Sequence, residues 1–186
     1  MSSQQQILHF PLGGKISLVP NAWQVWSGQE DAANSSLPDL EQGSHKVLVP
    51  FSWWIANHQN PDVLAKAKTG QMGVWFATDD DVLKHADLIE EGKQYWPLVA
   101  AHFPIFRDGR SFSTAAILRD RLGWKKEIRM IGDVLIDQLL QGARVGFDSF
   151  ELRQDQDLAV AQKQFDLFSV TTQNSWRAKR TLMSEL

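Results

Sequence analysis

The chain has 186 residues, 43% of them hydrophobic and 22% charged, which is typical of one folded globular domain and excludes extensive disorder. Its formal net charge of −3 excludes a globally basic surface for nucleic acid, and no apolar run approaches the roughly 20 residues of a membrane-spanning helix. The absence of cysteine excludes disulfides, thiolate nucleophiles and cysteine-ligated zinc or iron–sulfur centres. Because the first residues lack the features of a signal peptide, we expect a cytoplasmic protein.

The two ends of the chain differ from its middle. Residues 15–19 and 22–26 are short apolar runs that predict strands, and residues 29–44 are polar and predict a loop. Residues 171–186 carry Trp176 among basic side chains and either pack on a second subunit or fray. We therefore divide the chain into a β/loop preface at 1–45, an α/β domain at 46–170 and a C-terminal tail at 171–186.

From residue 46 the pattern alternates between strand and helix. Apolar runs predict strands at residues 47–51, 72–77, 98–103, 127–131 and 148–152. The segments between them are long enough for helical crossovers, which indicates βαβ units with parallel strands. A full eight-fold barrel takes about 250 residues, which is more than this chain has. The prediction is an α/β fold with a mainly parallel sheet of about five strands, built from consecutive βα units as an open sheet or partial barrel.

Two helices in the second half have clear start and stop signals. Ser113 is a good N-cap, and Gly123 ends the same helix in a left-handed conformation. Asp133 is expected to cap the next helix, which ends at Gly146.

Residues 106–113 carry the densest set of candidate ligand-binding side chains. They follow the predicted strand at 98–103, and ligands of parallel sheets collect at the carboxyl ends of strands. The two arginines suit oxyanions, the glycine permits a tight or left-handed turn, and the following helix would direct free N–H groups to the same place. We expect an oxyanion or cofactor phosphate to bind here, at Arg107, Asp108, Gly109, Arg110, Ser111 and Ser113. The alternative is an ordinary capped helix with two solvated arginines.

Three further polar residues lie near the same predicted edge. His102 ends its strand and would serve either in acid–base chemistry or in a structural hydrogen bond. Asp133 is either a ligand contact or only a helix cap, and Asp137 continues its face at helical spacing. No two histidines stand at metal-ligand spacing, and no phosphate-loop, dinucleotide-binding or nucleophile-elbow motif is present. The sequence therefore predicts no metal site and assigns neither a cofactor nor a catalytic residue.

A series of motifs in fixed order is specific enough to compare with known families. The motifs are VWFATDDD at 74–81, FPIFRDGRSFS at 103–113, LRDRLGW at 118–124, EIRMIGDVLIDQL at 127–139 and RVGFDSF at 144–150. Over about residues 47–170 they resemble an uncharacterised bacterial domain family labelled as an oxidoreductase of sulfite reduction. The resemblance identifies as hallmarks Phe106, Asp108, Gly109, Arg110, Ser113, Arg119, Gly132, Asp133, Asp137, Gln138, Gly146, Phe147 and Asp148. Ser111 stands where the family pattern commonly has glycine. The loss of that glycine tightens the loop.

The resemblance implies a role in assimilatory sulfite reduction. The chain would be an accessory protein or oxidoreductase that binds an oxyanion or cofactor phosphate, with Asp108 orienting Arg110, and with Asp133 and Asp137 completing the polar wall. Without cysteine it cannot hold the iron–sulfur and sirohaem centre that reduces sulfite, so sulfite reductase is the implied partner. The alternative is a non-catalytic adaptor that docks on sulfite reductase for assembly or electron delivery, which exposed aromatic surface would favour. The eight tryptophans and the tail suggest a homodimer.

Overall fold

The computed structural model describes residues 6–28, 46–167 and 175–177. Within these ranges eight strands form one sheet: β1 (Gln6–His9), β2 (Ser17–Pro20), β3 (Trp23–Val25), β4 (Lys46–Pro50), β5 (Met72–Phe76), β6 (Leu98–Phe103), β7 (Glu127–Gly132) and β8 (Ser149–Phe150). The helices in the same ranges are α1 (Phe51–Asn57), α2 (Pro61–Lys68), α3 (Ala86–Gly92), α4 (Arg110–Asp120), α5 (Leu139–Val145) and α6 (Leu158–Gln162), with 3₁₀ turns at Ile136–Gln138 and Lys163–Asp166. None of the helices in the described ranges has the length and apolar character needed to cross a membrane. The predicted loop at 29–44 and most of the predicted tail lie outside the described residues.

The strands predicted for the α/β domain are present as β4 to β8. They lie side by side in sequence order, and each pair of neighbours is parallel, so the predicted βαβ arrangement is confirmed. The sheet has eight strands rather than five, because β3 joins β4 in parallel while β1 pairs antiparallel with both β8 and β2. The predicted N-terminal strands correspond to β2 and β3. The sequence pattern misses β1, since four residues are too few to show a period.

The sheet curls because the strands at its two edges are nearly adjacent in the sequence. β2 and β3 form opposite edges, yet only Asn21 and Ala22 separate them along the chain. A link of that length spans at most about 11 Å, so the two edges must approach each other. Asn21 also reaches across the interior, where its Oδ1 accepts from Arg129 Nη1 at 2.9 Å and its Nδ2 donates to Glu151 Oε2 at 3.2 Å. The sheet is therefore closer to a partial barrel than to an open sheet.

The two faces of the curled sheet bury different sets of side chains. Successive crossovers of the same handedness place their helices on the same side of the sheet. The large core between the sheet and these helices includes the fully buried Trp54, Trp96 and Trp124. The inner face holds a smaller apolar cluster, made by Trp23, Leu48, Leu98, Ala100 and Ile131. Most apolar burial thus lies outside the curl, and the inside also accommodates the buried Arg129.

The start of α4 differs from the prediction. The helix begins at Arg110 with Gly109 as its N-cap, so Ser113 lies inside the helix and is not the cap. The Asp108 carboxylate accepts from the Arg110 backbone N–H at 3.2 Å and so takes part of the capping role. The predicted end is confirmed, because Gly123 has a φ of +63°.

The start of α5 also differs from the prediction. A 3₁₀ turn at Ile136–Gln138 precedes the helix, and Asp133 lies too far upstream to cap it. The helix does end at Gly146, whose φ is +120°. Asp133 is therefore free of the capping role, and its carboxylate binds other loops.

At the amino end of the sheet, the buried Arg119 of α4 holds several backbone carbonyls. Its side chain is 2% exposed, and its Nε and Nη2 donate to Gly146 O at 2.9 and 2.7 Å. Nη1 donates to the carbonyls of Trp124 and Lys126 at 2.9 and 2.8 Å, and Nη2 also pairs with the Asp148 carboxylate. A buried charge is tolerated only when it is paired and hydrogen-bonded, and Arg119 satisfies both conditions. This side chain ties α4 to the segments that lead into β7 and β8.

Removing the guanidinium of Arg119 should therefore destabilise the fold. We expect Arg119→Met to lower the free energy of unfolding by about 3–5 kcal/mol, because the buried Asp148 would keep only the longer contact with Arg177, at 3.5 Å, and three backbone carbonyls would lose their donor. Urea denaturation measures the change. Arg121→Met, an exposed arginine at the end of the same helix, is the control and should change stability by no more than about 0.5 kcal/mol. Similar small losses in both variants would contradict this role of Arg119.

Candidate functional site

Four loops follow the carboxyl ends of β5 to β8 and lie at the same end of the curled sheet. Thr78 follows β5, residues 104–109 follow β6, Asp133 follows β7 and Arg153 follows β8. Arg110 Nη2 donates to Thr78 Oγ1 at 2.9 Å, which joins the first two loops. Asp133 Oδ1 accepts from Arg153 Nη1 at 2.7 Å, which joins the last two. Side chains thus cross-link the loops in pairs.

The loop at residues 104–109, here the β6–α4 loop, is held by the backbone of Phe106. The Phe106 N–H donates to Asp133 Oδ2 at 2.7 Å, and Gln138 Nε2 donates to Phe106 O at 3.1 Å. Gln138 is buried, and its Oε1 accepts from the Leu135 N–H at 3.0 Å. The side chains of Ile105 and Phe106 remain 51% and 41% exposed. A fixed backbone therefore presents two apolar side chains to solvent.

Asp133 is the junction between three of these loops. One carboxylate oxygen binds the Phe106 N–H and the other binds Arg153. Arg153 also donates to both oxygens of Asp155, at 2.7 and 2.8 Å, and this hydrogen bonding lowers the pKa of Asp155 to about 2. The capping interpretation of Asp133 is wrong, because its oxygens bind partners 27 and 20 residues away instead of the nearest helix.

Asp108 and Arg110 form a bidentate ion pair at the start of α4. Arg110 Nε donates to Asp108 Oδ1 at 3.0 Å and Nη2 donates to Asp108 Oδ2 at 2.7 Å. The hydrogen bonds from Arg110 lower the pKa of Asp108 to about 2. Gly109 between them has a φ of −87°, so the left-handed turn considered there is not adopted. The charge of Arg110 is thus already matched by a carboxylate of its own loop.

The remaining predicted site residues do not join one cluster. Ser111 is buried, and its hydroxyl donates to the His102 carbonyl at 2.6 Å, so it faces β6 and not solvent. Arg107, Ser113 and Asp137 are exposed, and their side chains make no hydrogen bond or ion pair with another residue in the described part of the chain. Arg107 and Ser113 are available to a ligand, whereas Ser111 is used by the fold.

A cavity of about 260 Å³ lies beside Arg110 and Ser113. Asp80 and Asp81 also line it, so its wall carries two carboxylates and one arginine. Asp80 is engaged in the loop itself, because its Oδ2 accepts from the Ala77 N–H at 2.7 Å, and burial raises its pKa. This cavity is a poor match for a small anion.

His102 lies on the inner face of the sheet, apart from the arginines. Its ring contacts the indole of Trp75, with ring centroids 5.3 Å apart, and burial lowers its pKa, so the imidazole is neutral at pH 7. The neighbouring Gly132 has a φ of +99°, and a Cβ there would lie 2.8 Å from His102 Cδ2 and 2.4 Å from Phe103 O. Gly132 therefore leaves the space that the imidazole occupies.

Sequence reasoning gave no site role to Thr78, Gln138 or Arg153. The contacts of Phe106 join residues 27 and 32 positions apart, and no local period reveals such pairs. The available signal was the place of Gln138 among the hallmark residues of the resembling family. The structure explains that signal, because Gln138 fixes the β6–α4 loop.

Comparison with known proteins supports a family and no more. A family model, DUF934, described as a bacterial protein of unknown function, matches residues 73–183, a range that contains all the loops described above. Neither the curated proteins nor the solved structures include a significant match to the chain. The matched description names no reaction, so the role in sulfite reduction stays a hypothesis.

The two glycines of this region should respond differently to an added methyl group. Gly132→Ala should lower the free energy of unfolding by more than about 1 kcal/mol, because its φ is positive and the Cβ would clash with a backbone oxygen. Gly109→Ala should be neutral or stabilising by up to about 1 kcal/mol, because its φ is −87° and the nearest contact would be 3.6 Å away. Urea denaturation of both variants measures the contrast, and a larger loss at Gly109 would contradict it.

Proposed function

The chain belongs to the DUF934 family of bacterial proteins of unknown function, and from that premise we propose that it is a non-catalytic adaptor of sulfite assimilation that docks on sulfite reductase. The β6–α4 loop would make the central contact. The choice of partner rests on the motif resemblance and on the absence of cysteine, which excludes a cysteine-ligated reducing centre in this chain. The choice of an adaptor rests on the loop geometry.

The observation that carries the proposal is the combination of rigidity and apolar exposure in this loop. Ile105 and Phe106 are about half exposed, although most large apolar side chains of the described residues are buried. The Phe106 N–H donates to Asp133 and Gln138 donates to the Phe106 carbonyl, which holds the loop backbone, so little conformational entropy would be lost on docking. Exposed apolar groups on a pre-organised loop are typical of a protein-binding surface.

The electrostatics of the neighbouring side chains support docking over anion capture. Arg110 is paired bidentately with Asp108 and also bonded to Thr78, so a new anion would have to compete with an existing carboxylate. The nearby cavity includes two further carboxylates, Asp80 and Asp81. Polar and charged side chains around exposed apolar groups suit the rim of a protein interface.

Truncating the exposed side chains should weaken binding to sulfite reductase without unfolding the chain. We expect Phe106→Ala and Ile105→Ala each to weaken the complex about tenfold, since apolar anchors near the centre of an interface carry most of its binding energy. Surface plasmon resonance against purified sulfite reductase measures the affinity. Leu12→Ala is the matched control, because Leu12 is 55% exposed and lies in a different loop, between β1 and β2. Wild-type chain that shows no binding would reject the proposal, as would equal losses in all three variants.

A second candidate function is oxyanion or cofactor-phosphate binding, as an accessory protein or oxidoreductase of the same process. One observation favours it: Arg107 is exposed, and it has no ion pair with another described residue. A ligand held by Arg107, Arg110 and the Ser113 hydroxyl would lie at the start of α4, where backbone N–H groups favour anions.

Calorimetric titration with sulfite, sulfate and phosphate tests this second function. Loss of a charge-assisted contact is worth roughly 1.5–3 kcal/mol, so Arg107→Ala and Arg110→Ala should each weaken binding about ten- to hundredfold. Arg110→Lys should restore part of the affinity, because lysine keeps the charge but lacks the planar fork. Arg121→Ala serves as the exposed-arginine control. If wild type binds none of the three anions, or if the control variant loses as much affinity, oxyanion binding at this loop is rejected.

A further inference from the structure

Residues 175–177, here the C-terminal clip, dock on the amino end of the sheet, opposite the β6–α4 loop. The backbone N–H of Trp176 donates to the Arg144 carbonyl at 2.8 Å, at the end of α5. The side chains of Trp176 and Arg177 make further contacts with this end of the sheet.

Arg177 inserts into a site made of converging oxygens. Its side chain is 12% exposed, and its Nη2 donates to the carbonyls of Phe10 and Phe147, the latter at 2.6 Å. Its Nε donates to the Ala143 carbonyl at 3.1 Å, and Nη2 lies 3.5 Å from Asp148 Oδ1. Carbonyls at a helix C-terminus beside a carboxylate form a recognition site for a guanidinium.

Trp176 lies next to that site. Its ring lies against two cations, with Arg119 Cζ at 4.9 Å and Lys125 Nζ at 5.2 Å from the ring centroid. Two cavities, of about 810 and 430 Å³, adjoin this position, and Trp176, Lys125 and Leu12 line both of them. The indole therefore lies within a larger cleft that it only partly fills.

We propose that this cleft is a peptide-binding site that recognises a Trp–Arg sequence, and that the chain's own clip occupies it as a displaceable ligand. The fold at this end has its own support without the clip. Arg119 pairs with Asp148 and holds four carbonyl contacts, whereas Arg177 reaches Asp148 only at 3.5 Å. On release of the clip, water would hydrate the carbonyls that the clip now binds. The cleft would then be open to a peptide with the same two side chains. This inference is independent of the function proposed for the β6–α4 loop.

The test uses the full-length chain and the peptide Asn-Ser-Trp-Arg-Ala, which reproduces residues 174–178, labelled with fluorescein at its N-terminus. In the Trp176→Ala/Arg177→Ala chain the cleft is vacant, so we expect saturable binding by fluorescence anisotropy. Wild-type chain should bind the peptide at least about tenfold more weakly, because its own clip competes at high effective concentration. A peptide with alanine in place of arginine should bind at least about tenfold more weakly to the double variant.

Each alternative outcome contradicts the proposal in a definite way. Equal binding of both peptides, or equal binding by wild type and double variant, would show that the cleft does not recognise the Trp–Arg pair. If the double variant does not fold, which circular dichroism reports, the clip is part of the fold and the proposal is overturned. Arg177→Lys, which keeps the charge and loses only the planar fork, should bind the peptide with an affinity between those of wild type and the double variant, and an affinity equal to that of wild type would contradict recognition of the guanidinium. A dimer of wild type that the double variant lacks in sedimentation would place the clip in a second copy and overturn its assignment within one chain.

Discussion

The fold depends on one covalent constraint, the two-residue link between the strands at opposite edges of the sheet. Asn21 and Ala22 must connect β2 to β3, so the eight strands cannot lie flat. The loops that follow β5 to β8 come within hydrogen-bonding distance in pairs because these strands are parallel neighbours in sequence order. Asp133, which follows β7, therefore meets Phe106 after β6 on one side and Arg153 after β8 on the other.

The hallmark residues of the resembling family separate into two groups at opposite ends of the curled sheet. At the amino end, Arg119 and its partners Gly146 and Asp148 satisfy buried backbone carbonyls and a buried carboxylate. At the carboxyl end, Asp133 and Gln138 hold the backbone of the β6–α4 loop. In barrels of parallel strands the amino end contributes stability and the carboxyl end carries function. The docking function that we propose for the loop that follows β6 agrees with this division.

How much could be predicted from sequence depended on the range of the interactions. The five strands β4 to β8 and the glycine helix ends were predictable, because apolar runs and left-handed caps are local signals. The N-cap at Ser113 was wrong because Asp108 and Gly109, just upstream, start the helix earlier. The capping role of Asp133 was wrong because its partners are distant in sequence. The eight-strand closure also escaped prediction, since no local pattern shows that β2 and β3 end up on opposite edges.

The account of function requires that the β6–α4 loop hold one conformation in the free chain. The Phe106 amide reports this directly, because its hydrogen is donated to the Asp133 carboxylate at 2.7 Å although the Phe106 side chain is exposed. Amide hydrogen exchange followed by NMR at pH 7 measures its protection. The account predicts exchange far slower than in an unstructured peptide of the same sequence. Exchange at the rate of the unstructured peptide would show that the loop is not fixed and would contradict the account.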